Sequence, residues 1–217
     1  MRHSRFGSGG NRLGEELMAH AFEFDESILD AAEKLFSEIG YDSTTLRMVS
    51  EVAGEGVDLR THEGRVKQQL YRQVFARLYN IEMEQIQTAI RTNPKTIAGI
   101  HAAVDAFVDF IVDHPEYPAL WRHRGLGDAA DIQLSPQDYL SPLIVLLTST
   151  RWEGVSADLD LRLLSWFVIW SSGAFAHDGF VDEAGRRVFP NNPQALHRFR
   201  NQLHEVLEAL NRTGESR

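Results

Sequence analysis

The sequence predicts an all-α chain, and three observations carry that expectation. Beyond the first two dozen residues, apolar side chains recur at spacings of three and four, the period of a helix face. Strand-like alternation is scarce. The apolar runs are bounded by hydroxyl residues, glycines and prolines, which start and stop helices. Nine helices are expected in sequence, three of them short and N-terminal.

Residues 27–39 place Ile28, Ala32, Leu35, Phe36 and Ile39 on one face, with Ser27 and Asp30 in capping-box spacing and Gly40 just past the end. Ser43, Thr44 and Thr45 then offer hydroxyl caps to a second run, Leu46, Val49 and Ala53, halted by Gly54 and Gly56. Val57 to Glu63 allows barely two turns before Gly64. Val66, Leu70, Val74, Leu78 and Ile81 open a long fourth helix reaching about Arg91. Asn93-Pro94 is the clearest break, because proline lacks an amide donor and forces its predecessor out of helical geometry. A fifth helix carries Ile97, Ile100, Val104, Phe107, Val108 and Ile111 and stops near His114-Pro115. Around Leu120-Trp121, Pro118, Gly125 and Gly127 allow only a short helix and a loop. The last three helices are expected over 137–151, 158–176 and 193–212.

Composition narrows the function. The 217 residues are 43% apolar and 24% charged, enough to bury a substantial core. There is no cysteine, so disulfides, thiolate catalysis and cysteine-ligated metal are excluded, and a reducing cytoplasm is the expected location. The longest apolar stretch, Leu163 to Ala176, is interrupted by Ser165, Ser171, Ser172 and Gly173 and is too short for a membrane span. Residues 1–22 read as a flexible arm without the apolar core of a signal peptide. No glycine-rich phosphate loop, G-x-S-x-G elbow or H-E-x-x-H pair is present, so no enzyme, cofactor or metal is expected. His101, Asp105, Asp109 and Asp113 recur every four residues, but beside the apolar face, and read as a solvated acidic flank. His177-Asp178 reads the same way.

Net charge is −9, which on average disfavours a polyanion. The average conceals one basic segment. Arg60, Arg65, Lys67, Arg72 and Arg77 stand against Glu63 alone between 60 and 77. Three short helices, a glycine turn and an adjacent cationic segment are the parts of a helix-turn-helix for the DNA major groove. The residues Ile28-Leu29-Asp30-Ala31-Ala32, Leu35-Phe36, Gly40-Tyr41 and Thr44-Thr45-Leu46-Arg47-Met48-Val49 resemble the start of the tetracycline-repressor (TetR) family. The likeness runs without a gap to Leu70-Tyr71. It implies a helix-turn-helix DNA-binding domain over 23–72 and a ligand-binding and dimerisation bundle over 73–217, joined by the fourth helix and with the break at 93–94.

The resemblance fails where bases would be read. The family's G-V-S-x-x-x-L-Y-x-[HY]-F gives way to Gly54-Glu55-Gly56-Val57-Asp58-Leu59-Arg60-Thr61-His62-Glu63-Gly64. Aligned without gaps, Arg60 replaces the buried leucine, Thr61 the phosphate-contacting tyrosine and Gly64 an aromatic or apolar anchor, while Lys67 keeps the place of the phosphate-binding lysine. With the frame slid so that Gly56-Val57 serves as the family's Gly-Val, Val57 is buried, the third helix is shorter, His62 takes the family's histidine and the leucine-tyrosine pair is missing. Arg60 can donate a bidentate pair to guanine, and Thr61 and His62 have the reach for bases or phosphates. The expected contacts with double-stranded operator DNA are Thr44, Thr45, Arg47, Arg60, Thr61, His62, Arg65 and Lys67.

All four tryptophans lie past residue 120. A bundle so rich in rings is expected to enclose a small apolar or aromatic effector among Phe107, Phe110, Trp121, Arg122, Trp152, Trp166 and Trp170. The 158–176 helix is apolar nearly all round and must be covered on every side, which a second copy of the chain does. Leu163, Phe167, Leu196, Phe199, Leu203 and Leu207 are the expected homodimer contacts. The reading is a ligand-responsive transcriptional regulator, a repressor released from its operator by its effector. Its rival is a TetR-like helical dimer that has lost operator binding and acts through a ligand or protein partner.

Overall fold

The computed structural model describes residues 24–54, 63–134 and 141–215. Among them are eight helices: α1 (Glu26–Ile39), α2 (Leu46–Ala53), α3 (Glu63–Thr92), α4 (Ile97–Asp113), α5 (Glu116–Gly125), α6 (Ser141–Ser149), α7 (Leu161–Asp178) and α8 (Pro193–Glu215). The chain is all-α, as its periodicity dictates. The short helix expected over Val57–Glu63 lies, but for Glu63, outside the described residues.

Local chemistry sets the boundaries. The Thr45 side chain accepts the Met48 amide at 3.2 Å and so caps α2, while Gly54 closes that helix in the left-handed region. The capping box expected at α1 does not form. Asp25 is the N-cap and uses its backbone carbonyl, the Ser27 hydroxyl is buried without a partner, and the Asp30 carboxylate turns to Arg77 of α3. That arginine also holds Glu26 and Glu33, so three carboxylates of α1 neutralise it. Asp160 caps α7 through its side chain to the Leu163 amide.

One short hairpin, β1 (Phe180–Val181) with β2 (Arg187–Val188), joins α7 to α8 and is absent from the sequence expectation. The Asp182 carboxylate accepts the Ala184 and Arg186 amides and pairs with the Arg186 guanidinium, which holds it below the usual carboxylate range. Gly179 is obligatory here. Its φ is +60°, and a Cβ would lie 2.1 Å from the Val188 carbonyl oxygen.

A single buried cluster runs from Ile28 in α1 to Leu207 in α8. Its N-terminal part gathers Ala32, Phe36, Leu46, Val49, Leu70, Tyr71, Val74 and Phe75, each fully covered side chain of Leu or Phe size contributing about 1.5–3 kcal/mol. α3 is the spine: its lower half packs on α1, its upper half on α4. The acidic stripe of α4 is a seam rather than a solvated flank. Asp105 accepts from His204, Asp109 pairs with Arg200, and His101 stacks on His204 with ring centroids 4.1 Å apart, all joining α4 to α8.

Candidate nucleic-acid interface and effector cavity

The α1–α2 unit presents its expected DNA contacts unequally. Arg47 projects from the start of α2 with its side chain 87% exposed, leaning on Glu51 at 2.8 Å. Thr45 is exposed but accepts the Met48 amide. Thr44 is wholly buried, and its hydroxyl donates to the Gly40 carbonyl at 2.7 Å, so it shapes the turn and presents nothing to a phosphate. Arg65 is exposed on the first turn of α3. Lys67 is half-buried over the Tyr41 ring, its ammonium 4.1 Å from the centroid, and burial lowers its pKa. Arg60, Thr61 and His62 lie outside the described residues.

The expected ligand residues separate into three groups. Phe107, Trp121, Arg122, Trp166 and Trp170 line one cavity of about 390 Å³ between α3, α4, α5 and α7. That volume suits a small organic molecule. Trp152 instead walls a small apolar void of about 50 Å³ with Ile100, Leu147 and Leu164, and its indole nitrogen donates to the Leu147 carbonyl. Phe110 lines neither; it is fully buried against the Tyr117 and His114 rings.

Sequence reasoning missed the innermost groups of the larger cavity. Glu82 lines it with no solvent-accessible surface, and burial pushes its carboxyl up to about 8. Tyr117 faces it from α5, and burial raises that phenol as well. At the mouth stand Arg122, His177 and Asp178, the last two 4.0 Å apart.

α5 connects this cavity with the α1–α2 unit. Tyr117, Trp121 and Arg122 line the cavity. One residue further on, the His123 ring nitrogen donates to the Ser37 carbonyl of α1 at 3.0 Å. The loop after α5 sends Asp128 to the α1–α2 turn, where its carboxylate accepts the Tyr41 amide at 2.7 Å and the Asp42 amide at 2.8 Å. Gly40, with φ +84°, admits that carboxylate, which a Cβ would meet at 3.1 Å. Arg124 fixes the loop by donating to the Ala129, Ile132 and Leu134 carbonyls, and holds Ala129 at φ 53°. Rings run alongside: Phe36, Tyr71, Phe75 and Trp121 follow one another at centroid distances of 5.0–5.2 Å.

The expected dimer residues also divide. On α7, Leu163 and Phe167 are 58% and 44% exposed and form an outer apolar face with Trp170. Leu196 and Phe199 of α8 are half-buried. Leu203 and Leu207 are buried in the chain's own core, Leu207 against the Trp152 void, and so serve folding within the chain.

These features define a small N-terminal helical unit, α1 and α2, built through α3 onto a helical bundle. Residues 28–56 match the sequence profile of the bacterial regulatory proteins of the tetR family. The fold is similar to that of a TetR-like transcriptional regulator from Rhodococcus sp. RHA1, with TM-score 0.55 and 17% identity over 88% of this chain and 94% of that one. It is also similar to a TetR family transcriptional regulator from Chloroflexus aurantiacus J-10-FL, with TM-score 0.50 and 16% identity over 90% and 96%. No curated relative matches. The matched segment lies largely in α1, α2 and the turn between them, and the likeness of the whole chain to these regulators is one of fold. No helix among the described residues is long and apolar enough to cross a membrane.

Proposed function

We propose that the chain is a dimeric, cytoplasmic, ligand-responsive repressor that binds operator DNA and is released from it by a small effector carrying an apolar or aromatic body. The observation that carries this reading is the span of α5. Four of its side chains, Tyr117, Pro118, Trp121 and Arg122, line the cavity, and the adjoining His123 and Asp128 grip α1 and the α1–α2 turn. A ligand that shifts α5 therefore acts on the orientation of the DNA-binding unit. Coupling is reciprocal: whatever factor the effector takes from DNA affinity, DNA takes from effector affinity. The outer α7 face of Leu163, Phe167 and Trp170 is the surface through which two copies pair and hold their reading helices about 34 Å apart, one turn of duplex. Arg47, Arg65 and Lys67 serve as phosphate contacts, and Arg60, Thr61 and His62 as base or phosphate contacts.

The test is a gel shift with the DNA flanking the protein's own gene at two salt concentrations. Phosphate neutralisation makes log affinity fall with log salt at about −0.9 per contact, and several contacts per dimer give a steep line. No retarded fragment, or a flat line, overturns operator binding; a monomer at micromolar concentration overturns the paired arrangement. The rival, a dimer that has left DNA, draws on one observation. Two cations of the basic segment, Lys67 and Arg77, are engaged inside the chain by Tyr41 and by three carboxylates. A stable dimer without salt-dependent DNA binding selects that reading.

A further inference from the structure

Glu82 is anomalous. A carboxyl on the buried row of a helix normally has a partner, because a carboxylate removed from water without one is costly. Here neither oxygen meets a hydrogen-bond partner. The Tyr117 hydroxyl faces the group from α5 and offsets part of the burial without reaching hydrogen-bond geometry. The group lies in the cavity's lining just beneath its surface, and the wall around it carries four aromatic rings, Phe107, Trp121, Trp166 and Trp170, the last two with ring centroids 5.7 Å apart. A buried carboxyl that can ionise at the floor and π faces on the walls are the two features that attract an organic cation. An anion would meet Glu82 at its innermost point, with Arg122 only at the exposed rim.

We infer that the cavity selects an organic cation with a flat or apolar body, its charged centre held by Glu82 and its body lying among Trp121, Trp166 and Trp170. This rests on the reading of the cavity as the effector site and names the effector's charge class. In the empty site the Glu82 carboxyl is largely protonated at pH 7, since burial raises its pKa to about 8. A bound cation draws it to the carboxylate, so binding releases a proton and tightens as pH rises toward 8.5. The other titratable groups facing the cavity are Tyr117 and Arg122 from α5 and His177 and Asp178 from α7; α4 contributes only Phe107 and Ile111.

Three naphthalenes of equal body and different charge make the test: (1-naphthylmethyl)trimethylammonium, 1-naphthylmethanol and 1-naphthaleneacetate. Each is titrated calorimetrically into the full-length protein, without DNA, at pH 6.5 and 8.5 and in buffers of different ionisation enthalpy. The ammonium is expected to bind at least tenfold more tightly than the alcohol, with proton release at pH 6.5. Glu82→Gln is expected to reduce that preference to about twofold or less while leaving the alcohol's affinity in place. Trp170→Ala removes a ring shared by the cavity wall and the outer α7 face, and is expected to weaken the ammonium several-fold with the oligomeric state followed in parallel. His177→Gln serves as control and is expected to keep the proton release. If the alcohol or acetate binds as tightly as the ammonium, or if the preference survives Glu82→Gln, the cation inference falls while the cavity stands as a ligand site. If none of the three binds, the effector-site reading falls with it.

Discussion

Asp128→Ala tests the connection between the two halves of the chain. The carboxylate accepts two backbone amides, Tyr41 at 2.7 Å and Asp42 at 2.8 Å, across 87 and 86 residues of sequence. A hydrogen bond to a charged acceptor contributes about 1.5–3 kcal/mol where water is excluded. The Tyr41 bond is partly buried and keeps most of that, whereas water replaces much of the exposed Asp42 bond. The expected loss is therefore about 2–3 kcal/mol. For a chain of this length each kcal/mol lowers Tm by about 2–4 °C, so calorimetry should show a fall of roughly 5–10 °C. Amide hydrogen exchange gives the local reading: Tyr41 and Asp42 lose protection while Tyr71 and Phe75, in the shared core, retain theirs. His123→Gln removes the neighbouring bond to Ser37 near the end of α1, and the double variant should lose less than the sum, since loss of either bond loosens the backbone that the other holds. An unchanged Tm together with unchanged protection at Tyr41 and Asp42 would refute the connection.

Three further outcomes follow from other parts of the structure. Glu82 has a folded pKa raised to about 8 against an ordinary value of 4.5, so the native state holds the extra proton between these values and stability falls as pH climbs through them; Glu82→Gln should flatten the decline of Tm between pH 5 and 8. The slope removed is at most about 1.4 kcal/mol per pH unit, and an identical Tm profile in the variant excludes a buried titrating Glu82. Arg47→Ala should weaken operator binding and make its salt dependence shallower at constant Tm, whereas Lys67→Ala should do both and lower Tm by a few degrees, because the contact with Tyr41, about 0.5–1 kcal/mol, goes with it; anisotropy titrations and calorimetry on the two variants check this. Gly99→Ala gains helix propensity yet must place its Cβ 2.1 Å from the Pro94 carbonyl oxygen and 2.9 Å from the Trp152 ring, so a net loss of about 1–3 kcal/mol is expected in urea unfolding, and a stabilised variant contradicts the packing.

The helices were legible because each apolar face repeats within one segment, and caps such as Thr45 and stops such as Gly54 act on immediate neighbours. Pairings between segments were not. Arg77 reads as part of a basic patch until α1 brings Glu26, Asp30 and Glu33 to it from about fifty residues away. The stripe on α4 reads as solvated until α8 supplies His204 and Arg200. Leu203 and Leu207 share a face with Leu196 and Phe199, but periodicity does not say whether that face meets its own chain or another. One missed signal was present. Val66, Leu70, Val74, Leu78, Glu82, Ile86 and Ile90 stand every four residues and all are buried, so a carboxylate occupies a position the row reserves for apolar side chains. Asp128 carried no such mark, since its loop has no period and its partners are backbone amides.

The polar link and the ring stack make different contributions to coupling. Phe36, Tyr71, Phe75 and Trp121 belong to one close-packed cluster, which resists compression and passes displacement from the cavity wall to α1. Packing of that kind transmits movement but does not fix orientation, because apolar contacts are non-directional. Asp128 and His123 supply direction: each bond is lost within a fraction of an ångström or some tens of degrees. A shift of α5 that the core accommodates therefore still alters the angle at which the α1–α2 turn is held. The loop bearing Asp128 is kept stiff enough for this by Arg124, whose guanidinium binds three of the loop's own carbonyls. In the proposed function, sensing would depend less on the cavity's size than on the rigidity of the short stretch from Tyr117 to Leu134, where cavity wall, polar link and loop clamp follow one another within 18 residues.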